Sequence, residues 1–262
     1  MRFLFADDGP HIVIAPEKLF EVGGYPITNS MIYGWLCATL IIVGFYLARR
    51  AIKLGGNKGI SQLLDVGTEF IVGLLENTLG NRKMAVKYAP IFASMFFFIM
   101  FNNWLGLLPG VGPAIEYNGN ALFRAFTADL NATIAMALFG MLLVQVLAIK
   151  ENGPKGHVKH YFPLKATNPL TYLIGSFEIF TEFTRLLSLG LRLFLNVAIG
   201  EVLISVASYL GGTVAAPIAA LPFTLLEIFV GALQAYIFVV LCAAYLAATT
   251  AGHGDDHQEA KA

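Results

Sequence analysis

Residues 170–250 are apolar almost without interruption, yet they carry Glu178, Glu182, Arg185, Arg192, Glu201 and Glu227, with Asn196 and Gln234. No other feature constrains the fold as much. A run of this kind belongs in a lipid bilayer, where about 20 residues make one helical crossing. An ionised side chain there is costly unless it faces water or a partner. Gly211-Gly212, Pro217 and Pro222 interrupt the run, which predicts a hairpin of two helices of about 40 and 30 residues. Both exceed one crossing, so they tilt strongly or lie partly along the membrane plane.

The rest of the chain fits the same solvent. With 57% hydrophobic and 13% charged residues, it is too apolar for a globule with a wetted surface. Further spans are expected at 31–48, ended by Arg49-Arg50, at 91–108, opened by Pro90, and at about 127–149. Between the first two, residues 60–79 place Leu63, Leu64, Val66, Phe70, Ile71, Leu74 and Leu75 at helical spacing among Asp65, Glu69 and Glu76. That pattern predicts an amphipathic, interfacial helix. Residues 111–125 read as a loop of Gly, Pro and Asn, 150–169 as a polar loop and 251–262 as a polar tail. The first 30 residues, with Asp7, Asp8, Glu17, Glu21 and no long apolar core, read as a short structured arm rather than a signal peptide. The expected fold is an all-α integral membrane protein with five crossings, the last two long and tilted, plus one amphipathic helix.

Loop charge orients this set. The segments 49–90 and 150–169 hold Arg49, Arg50, Lys53, Lys58, Arg82, Lys83, Lys87, Lys150, Lys155, Lys159 and Lys165, whereas the arm and 109–126 hold only Arg2, Lys18 and Arg124. Cations collect on the inner side, so the N-terminus is expected outside and the C-terminal tail inside.

The ionisable residues of the hairpin then fall into an order. Glu178, Arg185 and Arg192 recur every seven residues and share a helix face, with Glu182 close to it. Asn196 is one turn beyond Arg192. Glu201 lies roughly 13 Å beyond Arg192 along the axis, about 180° around the helix. Glu227 and Gln234 share a face of the last helix. Glu178 and Glu182 lie towards the inner side, Glu201 and Glu227 towards the outer, and Arg192 stands between them. Carboxylates exchange protons, whereas arginine stays charged. The pattern suits two aqueous half-paths separated by a fixed cation. Arg185 is open to a second reading, an ion pair with Glu178 or Glu182 that only holds helices together. Asp129 is likewise either a minor member of the path or a cap for the third span beside Thr127.

Other chemistries find little support. No phosphate-binding glycine loop and no GxSxG is present. Cys37 and Cys242 read as small apolar helix residues. All five His lie outside the spans, so His157-x-x-His160 and His253/His257 read as solvated loop residues. No metal and no cofactor is expected. A secondary ion transporter would need a substrate cavity and internal repeats, and a membrane scaffold would leave Arg192 unexplained.

The run Ser188-Leu-Gly-Leu-Arg-Leu-Phe-Leu-Asn196, then Gly200-Glu201, then Leu233-Gln-Ala-Tyr-Ile-Phe238, with Thr127-Ala-Asp-Leu-Asn131 and Glu178 fourteen residues before Arg192, resembles the a subunit of F-type ATP synthases. The resemblance covers the second half of the chain in residues and the first half in layout. It implies that Arg192 faces the ion-carrying carboxylates of a ring of c subunits. Glu201, Asn196, Glu227 and Gln234 would line the outer half-channel, and Glu178 would belong to the inner one. It also implies peripheral-stalk b-type subunits and the rest of the complex as partners, and a bacterial plasma or organelle inner membrane as location. Leu195 stands where glycine is common, and Gly200 and Glu227 stand where some members carry histidine.

Overall fold

A computed structural model describes residues 16–53, 58–108, 111–117, 120–161 and 169–251. Glu178 lies in a helix, but its side chain falls outside this description, as do those of His157 and His160; His253 and His257 lie outside it altogether.

Among the described residues, five helices are long and apolar enough to cross a membrane. A hairpin of β1 (Lys18–Val22) and β2 (Tyr25–Thr28) turns through Gly23 and Gly24, both at positive φ, and leads into α1 (Asn29–Lys53). Thr28 Oγ1 accepts from the Met31 amide at 3.4 Å and so satisfies one free donor of the first turn. α2 (Lys58–Leu79) ends at Gly80, whose φ of 67° suits the left-handed stop of a helix. Asn81 then caps α3 (Arg82–Gly106) through the Lys83 amide. α2 buries Ile71, Leu74 and Leu75, while Asp65, Val66, Glu69 and Phe70 are exposed together.

α3 corrects one expectation. Pro90 lies inside the helix and does not open it. The proline removes a single main-chain donor, and the stronger signal is the Gly80-Asn81 stop and cap, after which Ala85, Tyr88 and Ala89 are already buried.

The segment read as a loop forms a second hairpin, β3 (Gly112–Tyr117) with β4 (Asn120–Phe123), followed by a 3₁₀ turn, Phe126–Ala128. Asp129 starts α4 (Leu130–Tyr161), which runs past the expected end at 149 to a break at Gly153 (φ 73°). α5 (Pro169–Leu210) and α6 (Gly212–Ala251) follow, with 42 and 40 residues. The turn is made by Gly211 and Gly212: Gly212 has φ 60°, and a Cβ on Gly211 would lie 2.8 Å from the Ala216 nitrogen. α6 is longer than expected because Pro217 and Pro222 sit within it. Each removes one donor, whereas unwinding the helix in lipid would strand many more main-chain groups. A helix of 42 residues is about 63 Å long, twice the hydrocarbon thickness.

The core lies where α3, α4, α5 and α6 meet, around Phe92, Val144, Leu193, Phe238 and Leu246. Small residues bring the axes together. Gly190 of α5 sits against the Ile134 backbone, and Gly140 of α4 against the Phe238 ring. Cys37 and Cys242 are buried free thiols.

Candidate functional site

The buried side of α5 (Leu189, Gly190, Leu193, Val197, Gly200) packs against its neighbours. Its opposite side is exposed, and Arg192 is on it. There it lies in a shallow groove of about 640 Å³ formed with Ser188, Leu191, Leu195, Asn196 and Ile199. Leu191, Leu195 and Ile199 are 39%, 47% and 54% exposed, so a single cation stands in an apolar stripe facing away from the bundle. Among the described residues no carboxylate is within ion-pair distance of Arg192.

One polar cluster lies beyond Arg192 along α5. Glu227 of α6 is 6% exposed, and its carboxylate fills the space where Gly200 has no side chain. Glu201, half-buried, is within electrostatic range of both Glu227 and Arg124. Two side chains of α3 hold this part of α6 by its main chain. Trp104 Nε1 donates to Ile228 O at 2.9 Å, and Asn103 Nδ2 donates to Gly231 O at 3.1 Å. Glu227 and Gln234 lie on either side of these two anchors. Five polar atoms here have no hydrogen-bond partner among the described residues: Asn102 Oδ1, Asn103 Oδ1, Thr127 Oγ1, Asn196 Nδ2 and Gln234 Nε2. Leaving such atoms dry costs about 1–3 kcal/mol each, so the chemistry of the site calls for water.

A second cluster lies on the other side of Arg192. Gln145 Nε2 of α4 donates to both Glu182 oxygens at 3.0 Å and to Tyr245 OH at 2.8 Å, joining α4, α5 and α6. The Arg185 guanidinium lies over the Tyr245 ring, 4.7 Å from its centre. Arg185 and Arg192 are seven residues apart, yet one turns to α6 and the other to the surface. Nearby, Glu151 accepts from Lys87 Nζ at 2.5 Å and from Tyr88 OH.

Asp129 belongs to neither cluster through its carboxylate. Its Oδ1 accepts from the Asn131 amide at 2.9 Å and its Oδ2 from Ser30 Oγ at 2.7 Å. It caps α4 and ties that helix to α1. Residues that sequence reasoning passes over are Asn103, Trp104, Thr127, Gln145 and Tyr245, which are neutral, and Arg124, which looks like a loop cation. A polar residue at an inward position of an apolar helix is the signal for Asn103 and Gln145.

The family model of the ATP synthase A chain matches residues 31–247. Similar curated proteins are named ATP synthase subunit a. That of Moorella thermoacetica is 30% identical over 240 residues, 92% of this chain and 99% of its own. That of Syntrophobacter fumaroxidans is 30% identical, over 94% of each chain. That of Bdellovibrio bacteriovorus is 36% identical over 192 residues, 72% of this chain and 73% of its own. With the match spanning the membrane helices and both polar clusters, this chain belongs to the ATP synthase A chain family.

Proposed function

We propose that this chain is the proton-translocating stator subunit of a rotary F-type ATP synthase, supplying two offset half-channels and the cation between them. The exposed Arg192, with no carboxylate partner among the described residues, carries this reading. A guanidinium keeps its charge at any working pH, and a lone cation in a lipid-level apolar stripe requires an anion from another chain. The acidic residues of a c ring are such anions. Arg192 attracts each arriving carboxylate in its charged form and blocks direct leakage between the half-channels.

On this reading Glu201, Glu227, Asn196 and Gln234 form the outer path, joined by Asn103 Oδ1 and Thr127 Oγ1, which have no partner among the described residues. Glu182 with Gln145 and Tyr245, together with Glu178, forms the inner one. Glu182 and Glu201 stand about 15 Å and 13 Å along α5 on either side of Arg192, which separates entry from exit. Loop charge puts the N-terminal arm outside and the 150–169 segment and tail inside. α2 lies at the inner interface, and the length of α5 and α6 lets them run obliquely past the ring. ATP chemistry resides in other subunits, and peripheral-stalk subunits hold this chain still.

The test is ATP-driven acidification of inverted vesicles carrying the assembled complex, wild type against Arg192→Ala. Loss of pumping with the complex intact is expected. Pumping near the wild-type rate would remove Arg192 from the mechanism.

A further inference from the structure

Of the few cations on the outer side, Arg124 is buried, at 7% exposed. It directly precedes a corner where three elements meet. Ala125 abuts Gly106 of α3, at which a Cβ would lie 2.8 Å from the Ala125 Cβ. Ala125 and Ala128 pack on Val197 of α5, which is one turn before Glu201. Arg124 Nη2 donates to Ala128 O at 3.3 Å, so the guanidinium stays at this corner. The Glu201 carboxylate is within range of its charge, and Glu227 arrives at the same place from α6, against Gly200. Two other acids of this end have partners of their own: Glu17 accepts from the Ala121 amide, and Asp129 from Ser30 and Asn131.

We propose that Arg124 is a positioning residue of the outer half-channel, a second fixed cation that holds the Glu201 carboxylate beside Glu227. The proposal rests on the reading of those two glutamates as the outer path. A buried guanidinium is expensive without an anion, and a carboxylate beside it gains a defined place that water alone would not give. Arg192 keeps the two paths apart; Arg124 holds the outer one together.

The experiment is ATP-driven acidification by the complete reconstituted complex. It compares Arg124→Gln, Arg124→Lys, Glu201→Gln and the double variant Arg124→Gln/Glu201→Gln. Arg124→Gln is expected to slow pumping about tenfold, and Arg124→Lys to recover most of the rate. The double variant is expected to be no slower than Glu201→Gln, because Arg124 acts through that carboxylate. Equal rates for the Gln and Lys variants, or losses that multiply in the double variant, overturn the proposal. If Arg124→Gln does not assemble with the ring, adding Glu201→Gln must restore assembly by removing the stranded charge; failure to restore it also overturns the proposal. The underlying reading fails separately, if Glu201→Gln/Glu227→Gln pumps like wild type. Arg124 variants that pump normally while those acids are essential refute only the role of Arg124.

Discussion

The Glu227 carboxylate lies directly against Gly200, so that a Cβ at position 200 would overlap the carboxyl atoms. The two residues belong to different helices, and every atom that a methyl group at position 200 would meet belongs to the end of the Glu227 side chain, which must move to admit it. Gly200→Ala therefore pushes the Glu227 carboxylate off its place. Pumping by the assembled complex should fall. Adding Glu227→Asp, one methylene shorter, should recover part of it. A Gly200→Ala complex that pumps at the wild-type rate would show that the placement of Glu227 is immaterial.

Thr127 offers a test with almost no change of shape. Its hydroxyl is fully buried and has no partner among the described residues. Thr127→Val keeps the branching and removes only the polar atom. If water joins this hydroxyl to the outer path, the variant assembles normally and pumps several-fold more slowly. If the hydroxyl is dry, removing it relieves about 1–3 kcal/mol. The complex would then melt later and pump as before, and Thr127 would leave the path.

At the other cluster one amide serves two helices. Gln145 Nε2 holds both the Glu182 carboxylate and the Tyr245 hydroxyl, and a hydrogen bond to a charged group contributes about 1.5–3 kcal/mol. Tyr245→Phe loses one acceptor but keeps the ring beneath Arg185. Gln145→Leu should therefore impair assembly and pumping more than Tyr245→Phe. Tyr245→Leu, which also loses the cation–π contact, about 0.5–2 kcal/mol, should fall between them. The reverse order, measured by co-purification with the ring and by pumping, would show that the amide is incidental.

These contacts also explain what can be read from residues in a row. Hydropathy exposes the membrane helices because each needs a long apolar stretch. Charges within such stretches stand out because burial makes them rare, which is how Arg192, Glu201 and Glu227 become candidates at once. Pro217, Pro222 and Pro90 mislead because their cost is weighed as it would be in water, where a broken helix can be solvated. Gln145 and Tyr245 are 100 residues apart, and no local pattern announces that pairing. Arg124 escapes for the opposite reason: among Gly, Pro and Asn it looks like a solvated loop cation, and only the packing of Ala125 and Ala128 on Val197 draws it inside. The second hairpin does have a sequence signal, Asn118-Gly119 between its strands.

Asp129 separates capping from transport. Both carboxylate oxygens are engaged, one by the Asn131 amide and one by Ser30, and the residue is 4% exposed. Asp129→Asn retains an oxygen for the Asn131 amide, and Asn is as good a cap as Asp. What changes is the bond from Ser30, which loses its charged acceptor. Ser30→Ala removes the same bond from the other end. The two variants should each lower the thermal stability of the assembled complex by a similar amount, on the order of 1–2 kcal/mol. Both should pump near the wild-type rate below the melting transition. A stable Asp129→Asn complex that no longer pumps, beside a normal Ser30→Ala complex, would mean that protons reach this carboxylate and that the cap is part of the outer path.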